Sequence, residues 1–467
     1  MTCLNHASLA ASLAALTVAA DAAAASKPKS PAGKRPDVIV IMTDQQTAGA
    51  MSCAGNPWVR TPAMDALAAD GVRFTRAYCP YPLSGPCRAA LVTGRMPFEV
   101  GAFDNAIRPA DADMQAGIGH RLAEAGYECL YAGKWHVPEV NLPDSGTGFR
   151  RISKMNDPAL ADACDAALKE YDGQKPLFLV ASLLNPHEIC EYGRHETLQY
   201  GELAPFSTEE CPNLPANFMP STYAAEALTL EHASSPRYHD TYTYTQDDWR
   251  RYLYAYYRLV ERADREVARI VGVLKAHGLY DDAAIVFLSD HGDGAAAHGW
   301  NQKWNLQEEV INVPLIVKPP KGAGLRGVRN DEALSNVGLD LYATVCDYAG
   351  VTPDPERYRG RSLRPVAEGR QATLHDEVFV ETLLPGPDMR GWSVVGPRYK
   401  YVLYQWGRNR EALYDLQDDP GEMVNLAVDR RYEAELNRLR RAMYDWGVRI
   451  GDPKLVRNLR PFAETRN

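Results

Sequence analysis

Two unbroken apolar runs, one closed by an acid and two amides and the other by two acids and an imidazole, constrain this chain more than any other feature. The first is Asp37-Val-Ile-Val-Ile-Met-Thr-Asp44-Gln45-Gln46, and the second is Ala283-Ala-Ile-Val-Phe-Leu-Ser-Asp290-His291-Gly292-Asp293. Rows of consecutive aliphatic residues cannot alternate between core and water. Each run therefore predicts a strand buried on both faces, the habit of parallel sheets covered by helices. In such sheets the carboxyl ends of the strands open on the crevice where ligands bind. Two strand ends that deliver carboxylate and amide oxygens there predict a site for a hard divalent cation.

The rest of the chain keeps the same rhythm. Thr61 to Gly71 carries a Thr cap, Pro at the first helical position and a closing Gly, and Ile118 to Gly126 predicts a second helix. Glu128-Cys-Leu-Tyr-Ala-Gly leads as a strand into Lys134 and His136, and Leu177 to Leu184 leads into Asn185 and His187. Tyr256, Leu259, Val260, Ala263, Val267, Ile270, Val271 and Leu274 follow helical spacing. Val313 to Lys318 reads as one more strand, and Ser335 to Gly350 as a turn and helix. Alternation of this kind predicts an α/β fold class, a large domain with a mostly parallel central β-sheet flanked by helices. From Asp376 the pattern changes to short strands in succession and one helix near Arg431 to Trp446, which predicts a small C-terminal domain with an antiparallel sheet. With 467 residues, 45% of them hydrophobic, the chain is long enough for both. The expected organisation is a leader at 1–26, a polar linker at 27–36, a catalytic domain at 37–370 and a C-terminal α+β subdomain at 371–467. Residues 188–247 show no clear period and are expected to form an insertion over the active site.

Residues 7–26 are a short run of small apolar residues resembling a secretory signal, with no Lys or Arg before it and too little hydrophobicity for a membrane span. They imply a periplasmic or secreted protein with no membrane span. The net charge of -9 excludes a general nucleic-acid binder, which needs a basic surface. The nine cysteines show no CxxC or metal-ligand spacing; Cys190 and Cys211 are either bridged in an oxidising compartment or free.

The chemistry centres on Tyr81-Pro-Leu-Ser84-Gly-Pro-Cys-Arg88-Ala-Ala-Leu-Val-Thr-Gly-Arg95. Pro82 and Pro86 stiffen a turn and place Ser84 at the mouth of a helix, whose free N–H groups favour an anion. An ordinary helix cap would look the same. The strand-end groups Lys134, His136, His187, Asp290 and His291, together with Lys303, change the reading. Several cations and imidazoles around one hydroxyl, beside Asp44 and Gln45, suit a tetrahedral oxyanion ester better than an acyl group. No Gly-x-Ser-x-Gly elbow surrounds Ser84.

Ser84-Gly-Pro-Cys-Arg-Ala-Ala-Leu-Val-Thr-Gly-Arg95 resembles the signature of the formylglycine-dependent type I sulfatases, of the alkaline phosphatase-like superfamily. Further matches follow in order: Ile41-Met-Thr-Asp-Gln, Ala132-Gly-Lys-Trp-His136, Asn185-Pro-His187, Ser289-Asp-His-Gly292, Val313-Pro-Leu-Ile-Val, Gly360-Arg-Ser-Leu and Leu413 to Leu426. The resemblance implies a sulfuric ester hydrolase acting on a sulfated carbohydrate, with a phosphodiesterase or phosphonate monoester hydrolase of the same superfamily as the alternative. It implies that Ser84 is converted to formylglycine (3-oxoalanine) by a serine-accepting radical maturase. The hydrated aldehyde then attacks sulfur, and its second hydroxyl allows the adduct to collapse, which a plain serine ester cannot do. It further implies one Ca²⁺ held by Asp44, Gln45, Asp290, His291 and the Ser84-derived oxygen. Arg88 supports that oxygen and the metal, Lys134 and Lys303 grip sulfate, His187 is the general acid and His136 takes the proton that restores the aldehyde. The chain departs from the commoner pattern at Gln45, where many members carry Asp, and at Ser84, where Cys is usual. His298 and Trp300 are candidate sugar contacts, offering a polar tip and an aromatic face.

Overall fold

A computed structural model describes residues 35–107, 109–137, 146–234 and 241–464. The expected leader and nearly all of the linker lie outside those residues. The strands are β1 (Val38–Asp44), β2 (Val72–Phe74), β3 (Ala77–Tyr78), β4 (Glu128–Gly133), β5 (Arg150–Ser153), β6 (Leu177–Pro186), β7 (Ala284–Ser289), β8 (Leu315–Lys318), β9 (Val328–Asn330), β10 (Ser335–Asn336), β11 (Val378–Leu384), β12 (Met389–Val395), β13 (Tyr399–Tyr404) and β14 (Glu411–Asp415). The main helices are α1 (Pro62–Ala69), α2 (Ser84–Thr93), α3 (Ile118–Glu124), α4 (Asp157–Glu170), α5 (Gln246–Ala276), α6 (Val337–Tyr348), α7 (Glu433–Ile450) and α8 (Pro453–Glu464).

The central sheet has eight strands in the order β5-β4-β6-β1-β7-β8-β2-β9. β1 pairs in parallel with both β6 and β7, so the two apolar runs lie side by side, Val38 opposite Ala284 and Thr43 opposite Ser289. Only β8 runs antiparallel to its neighbours β7 and β2. Val38, Val40 and Met42 pack into one core that includes residues of α2, α3 and α6, while Ile39 and Ile41 pack into another built with α4 and α5. Burial on both faces is why the runs had to be continuous. A separate four-stranded antiparallel sheet, β11-β12-β13-β14, packs on α7 and α8. No helix among the described residues is long and apolar enough to cross a membrane.

Two local differences from the sequence reading have simple causes. The stretch 188–247 is not wholly irregular: helical turns occupy Ile189–Gly193 and Glu226–Ser234. α5 also starts ten residues before its first evident apolar position. Thr245 Oγ1 accepts from the Asp248 N–H and the Asp248 carboxylate accepts from the Thr245 N–H, a reciprocal cap that secures the first turn.

Candidate active site

The polar strand ends meet at one edge of the sheet. Asp44 closes β1, and Gln45 follows it at φ +70. Asp290 and His291 follow β7, and Ser84 opens α2. Gly133 closes β4 at φ +90, where a Cβ would lie 2.0 Å from the Ser182 carbonyl, and the bare backbone there sends Lys134 toward Asp44. Asn185-Pro186 closes β6 with a cis bond just before His187.

Ser84 is buried, its Oγ 3.2 Å from Asp44 Oδ2 and 3.0 Å from His291 Nε2. His291 Nδ1 lies 2.9 Å from the Gly292 carbonyl, which can only accept, so Nδ1 carries the proton and Nε2 turns a lone pair toward Ser84. Arg88 joins the two strand-end carboxylates: Nε donates to Asp290 Oδ2 and Nη2 to Asp44 Oδ2, each at 2.8 Å, and Nη1 donates to the Lys134 carbonyl and to Ser182 Oγ. Lys134 Nζ is 2.7 Å from Asp44 Oδ2, and Lys303 Nζ is 2.7 Å from Gln45 Oε1. His187 Nδ1 lies 3.8 Å from Glu191 Oε2.

Three cations gather around Asp44 and Asp290, with Asp293 behind Gln45, and the protonation states follow. Burial opposes the charge on Asp44, yet Lys134 and Arg88 hold its carboxyl well below the usual range. Burial and the neighbouring Asp44 charge push Asp290 up to about 7. Burial, reinforced by Lys134, lowers His136 to about 3; burial with Lys303 lowers His291 to about 3; burial with Lys134 and Lys303 lowers His187 well below its ordinary value. The imidazoles are therefore neutral at neutral pH, as ligands and bases must be.

The donor set fits a cation. Ligand atoms of Asp44, Asp290 and His291 all lie within 4.8 Å of one another, fully buried, with the Nε2 lone pair among them. Two buried carboxylates this close repel each other, as the raised Asp290 shows, and a divalent ion between them would remove that repulsion.

His298 and Trp300 line a cavity of about 610 Å³ with Ser221, His232, Tyr242 and Gln307, and Trp300 Nε1 donates to the Lys303 carbonyl at 3.2 Å. A ligand atom of His298 also lies within 4.8 Å of Glu309 and Glu422, a cluster that Lys400 already neutralises in part through its 2.6 Å contact to Glu422. Cys190 and Cys211 are free thiols. Sequence reasoning missed Asn105, whose Oδ1 accepts from the Gly85 N–H beside Ser84, and Asp293, which holds Gln45. Asn105 gave no signal beyond a polar loop residue.

So dense a cluster of cations around one hydroxyl has use for a tetrahedral oxyanion, and on a mostly parallel α/β sheet it defines the alkaline phosphatase-like hydrolases. The sulfatase family model matches residues 36–351, and the chain belongs to that family: it is a sulfuric ester hydrolase. A second family model, N-sulphoglucosamine sulphohydrolase, C-terminal, matches residues 296–448. A Delta 4,5-hexuronate-2-O-sulfatase of Bacteroides thetaiotaomicron is 29% identical over 93% of each chain. The solved structure of a 2-O GAG sulfatase superposes with a TM-score of 0.78 at 28% identity, covering 90% of this chain and 93% of that one. A phosphonate monoester hydrolase of Agrobacterium radiobacter shares the fold at a TM-score of 0.68 and 22% identity, covering 91% of this chain and 96% of that one.

Proposed function

We propose that this sulfatase removes sulfate from a sulfated carbohydrate of glycosaminoglycan type, through a formylglycine made from Ser84 and with one Ca²⁺ at the strand ends. The observation that carries the reading is the placement of the buried Ser84 Oγ between Asp44 and His291, with Arg88 tied to both strand-end carboxylates. The carbohydrate reading is supported by the relatives, which are named for 2-O-sulfated uronate and GAG substrates.

Asp44, Gln45, Asp290 and His291 would hold the cation, which supplies positive charge against the sulfate oxygens when bound. Arg88 fixes Asp44 and Asp290 relative to Ser84, so the oxygen at position 84 meets the substrate without side-chain search. Lys134 and Lys303 orient the sulfate and screen the charge that grows on it. His187, neutral beside these two lysines, gains proton affinity when the anionic ester enters, and so becomes the acid that protonates the leaving alcohol. His136, neutral and with an unpartnered Nδ1, is the base for the hydroxyl of the hydrated aldehyde. The serine-accepting maturase acts first, and export to the periplasm or medium follows from the leader-like residues 7–26.

The test is co-expression with a serine-accepting maturase. Mass spectrometry should show the peptide containing residue 84 two hydrogen atoms lighter than its sequence. With Ca²⁺ the product should release sulfate from 2-O-sulfated hexuronate disaccharides, and Ser84→Ala should lose at least about a thousandfold in kcat. No release from any sulfated saccharide by the modified, Ca²⁺-loaded chain would overturn the reading; faster turnover of an aryl phosphonate would overturn the choice of substrate.

A further inference from the structure

Gln45 differs from a carboxylate ligand in one chemical respect: its amide has two unlike ends. An Asp presents an oxygen whichever way it turns, whereas a Gln presents an acceptor only if something holds its donor end elsewhere. In this chain both ends are committed, and by partners that cannot exchange roles. Lys303 Nζ, a pure donor, lies 2.7 Å from Oε1. Asp293 Oδ2, an acceptor when ionised, lies 2.8 Å from Nε2. Cys190 Sγ sits 3.3 Å from Oε1 and 3.2 Å from Nε2, so it does not choose between them.

Asp293 is itself immobilised. It is fully buried and accepts from the Ala295 N–H at 2.8 Å, the Gln302 N–H at 3.0 Å and Tyr252 Oη at 3.0 Å, besides the Gln45 amide. The Gln45 backbone is held too, its N–H by Asp290 Oδ1 at 3.2 Å and its carbonyl by Tyr256 Oη at 2.8 Å. Rotation of the amide is therefore the remaining freedom, and Asp293 at one end with Lys303 at the other removes it.

We infer that Asp293 is a positioning residue that locks the Gln45 carbonyl toward Lys303 and the cation site, so that Gln45 and Asp293 act as one unit. Its metal arm rests on the proposed Ca²⁺ site. A carboxylate at position 45 would face Asp293 at hydrogen-bond distance with both groups buried, so the amide at 45 and the acid at 293 require each other.

The experiment is a double-mutant cycle on the full chain with Asp293→Asn, Gln45→Glu and the pair, read in two ways. The first is Ca²⁺ affinity by calorimetry on metal-stripped protein. Asp293→Asn leaves one acceptor oxygen for the Ala295 N–H, the Gln302 N–H and the Gln45 amide that Asp293 serves with two, and leaves Lys303 as the main hold on Gln45, so affinity should fall about 10- to 100-fold, the usual effect of weakening a group that orients a ligand. The second readout is the melting temperature without metal. Gln45→Glu alone should melt lower than wild type, and adding Asp293→Asn should restore much of the loss, because the amide introduced at 293 can donate to the carboxylate introduced at 45. A merely structural Asp293 would not be rescued by a change at its partner. Ca²⁺ affinity within about twofold of wild type in Asp293→Asn, or a double variant no more stable than Gln45→Glu, would overturn the inference. If wild type takes up no Ca²⁺, the cation reading falls, while the metal-free melting cycle still decides whether Asp293 orients Gln45.

Discussion

At the scale of single residues, Arg88 carries the greatest burden. It is 1% exposed and satisfies Asp44 and Asp290 together. Arg88→Met should leave Asp290 buried without its cation and Asp44 with Lys134 alone, and cost about 3–5 kcal/mol, measurable as a lower urea midpoint. Addition of Ca²⁺ should recover part of that loss, since the ion would neutralise the same pair. Arg88, Ser84, Lys134, His187 and Asp290 could be singled out in the sequence because each sits in a motif or directly after an apolar run; Lys303 lies in a loop ten residues beyond Asp293 and gave a weaker signal. Asp293 could not be: an Asp following His-Gly reads as turn chemistry, and its partner Gln45 lies 248 positions away. His298 and Trp300 were singled out for a polar tip and an aromatic face that suit a sugar ring. The loop that carries them turns at His298, φ +55, and again at Gln302, φ +63, just before Lys303, and they line a cavity of about 610 Å³.

At the scale of elements, the carboxyl end of β6 is set by a helix rather than by its own sheet. Asp157, opening α4, accepts from the Leu184 N–H at 2.7 Å and the Asn185 N–H at 2.9 Å, where the sheet no longer pairs these groups and the chain turns toward His187. Burial pushes Asp157 up to about 6 in spite of those donors. Between about pH 4 and 6 the folded state thus keeps a proton that the unfolded chain gives up, so the stability owed to this group declines as pH rises through that window. Asp157→Asn retains an acceptor and does not titrate. Paired denaturation curves should show the wild type's advantage over Asp157→Asn shrinking from pH 4 to pH 7, and a constant difference would rule this out. The strands themselves were readable because two-sided burial demands continuous apolar runs. The start of α5 was less so, because its first turn is secured by the Thr245–Asp248 exchange rather than by hydrophobic spacing.

At the scale of the molecule, the two sheets are tied through buried charge. Lys400 on β13 is fully buried and pairs with Glu308, ahead of β8, and with Glu422, which follows β14. Thr382 Oγ1 on β11 donates to the Trp304 carbonyl at 2.6 Å, and the Trp304 N–H donates to the Pro82 carbonyl, so the small sheet braces the loop carrying Lys303 against the Ser84 turn. Lys400→Met should leave two glutamates without their cation and lower stability by about 3–5 kcal/mol, with little dependence on salt, because the pair is shielded from solvent ions. Urea titrations at low and high ionic strength measure both points. Sequence by itself determined the α/β class, the strands that end in polar side chains and the motif of the Ser84 turn, because these depend on local runs of residue type and on spacing within a motif. Only the tertiary structure decided how Arg88 bridges two strands, which end of the Gln45 amide faces Lys303 and where His298 goes. Those depend on contacts between residues far apart in the chain, whose distances no local pattern encodes.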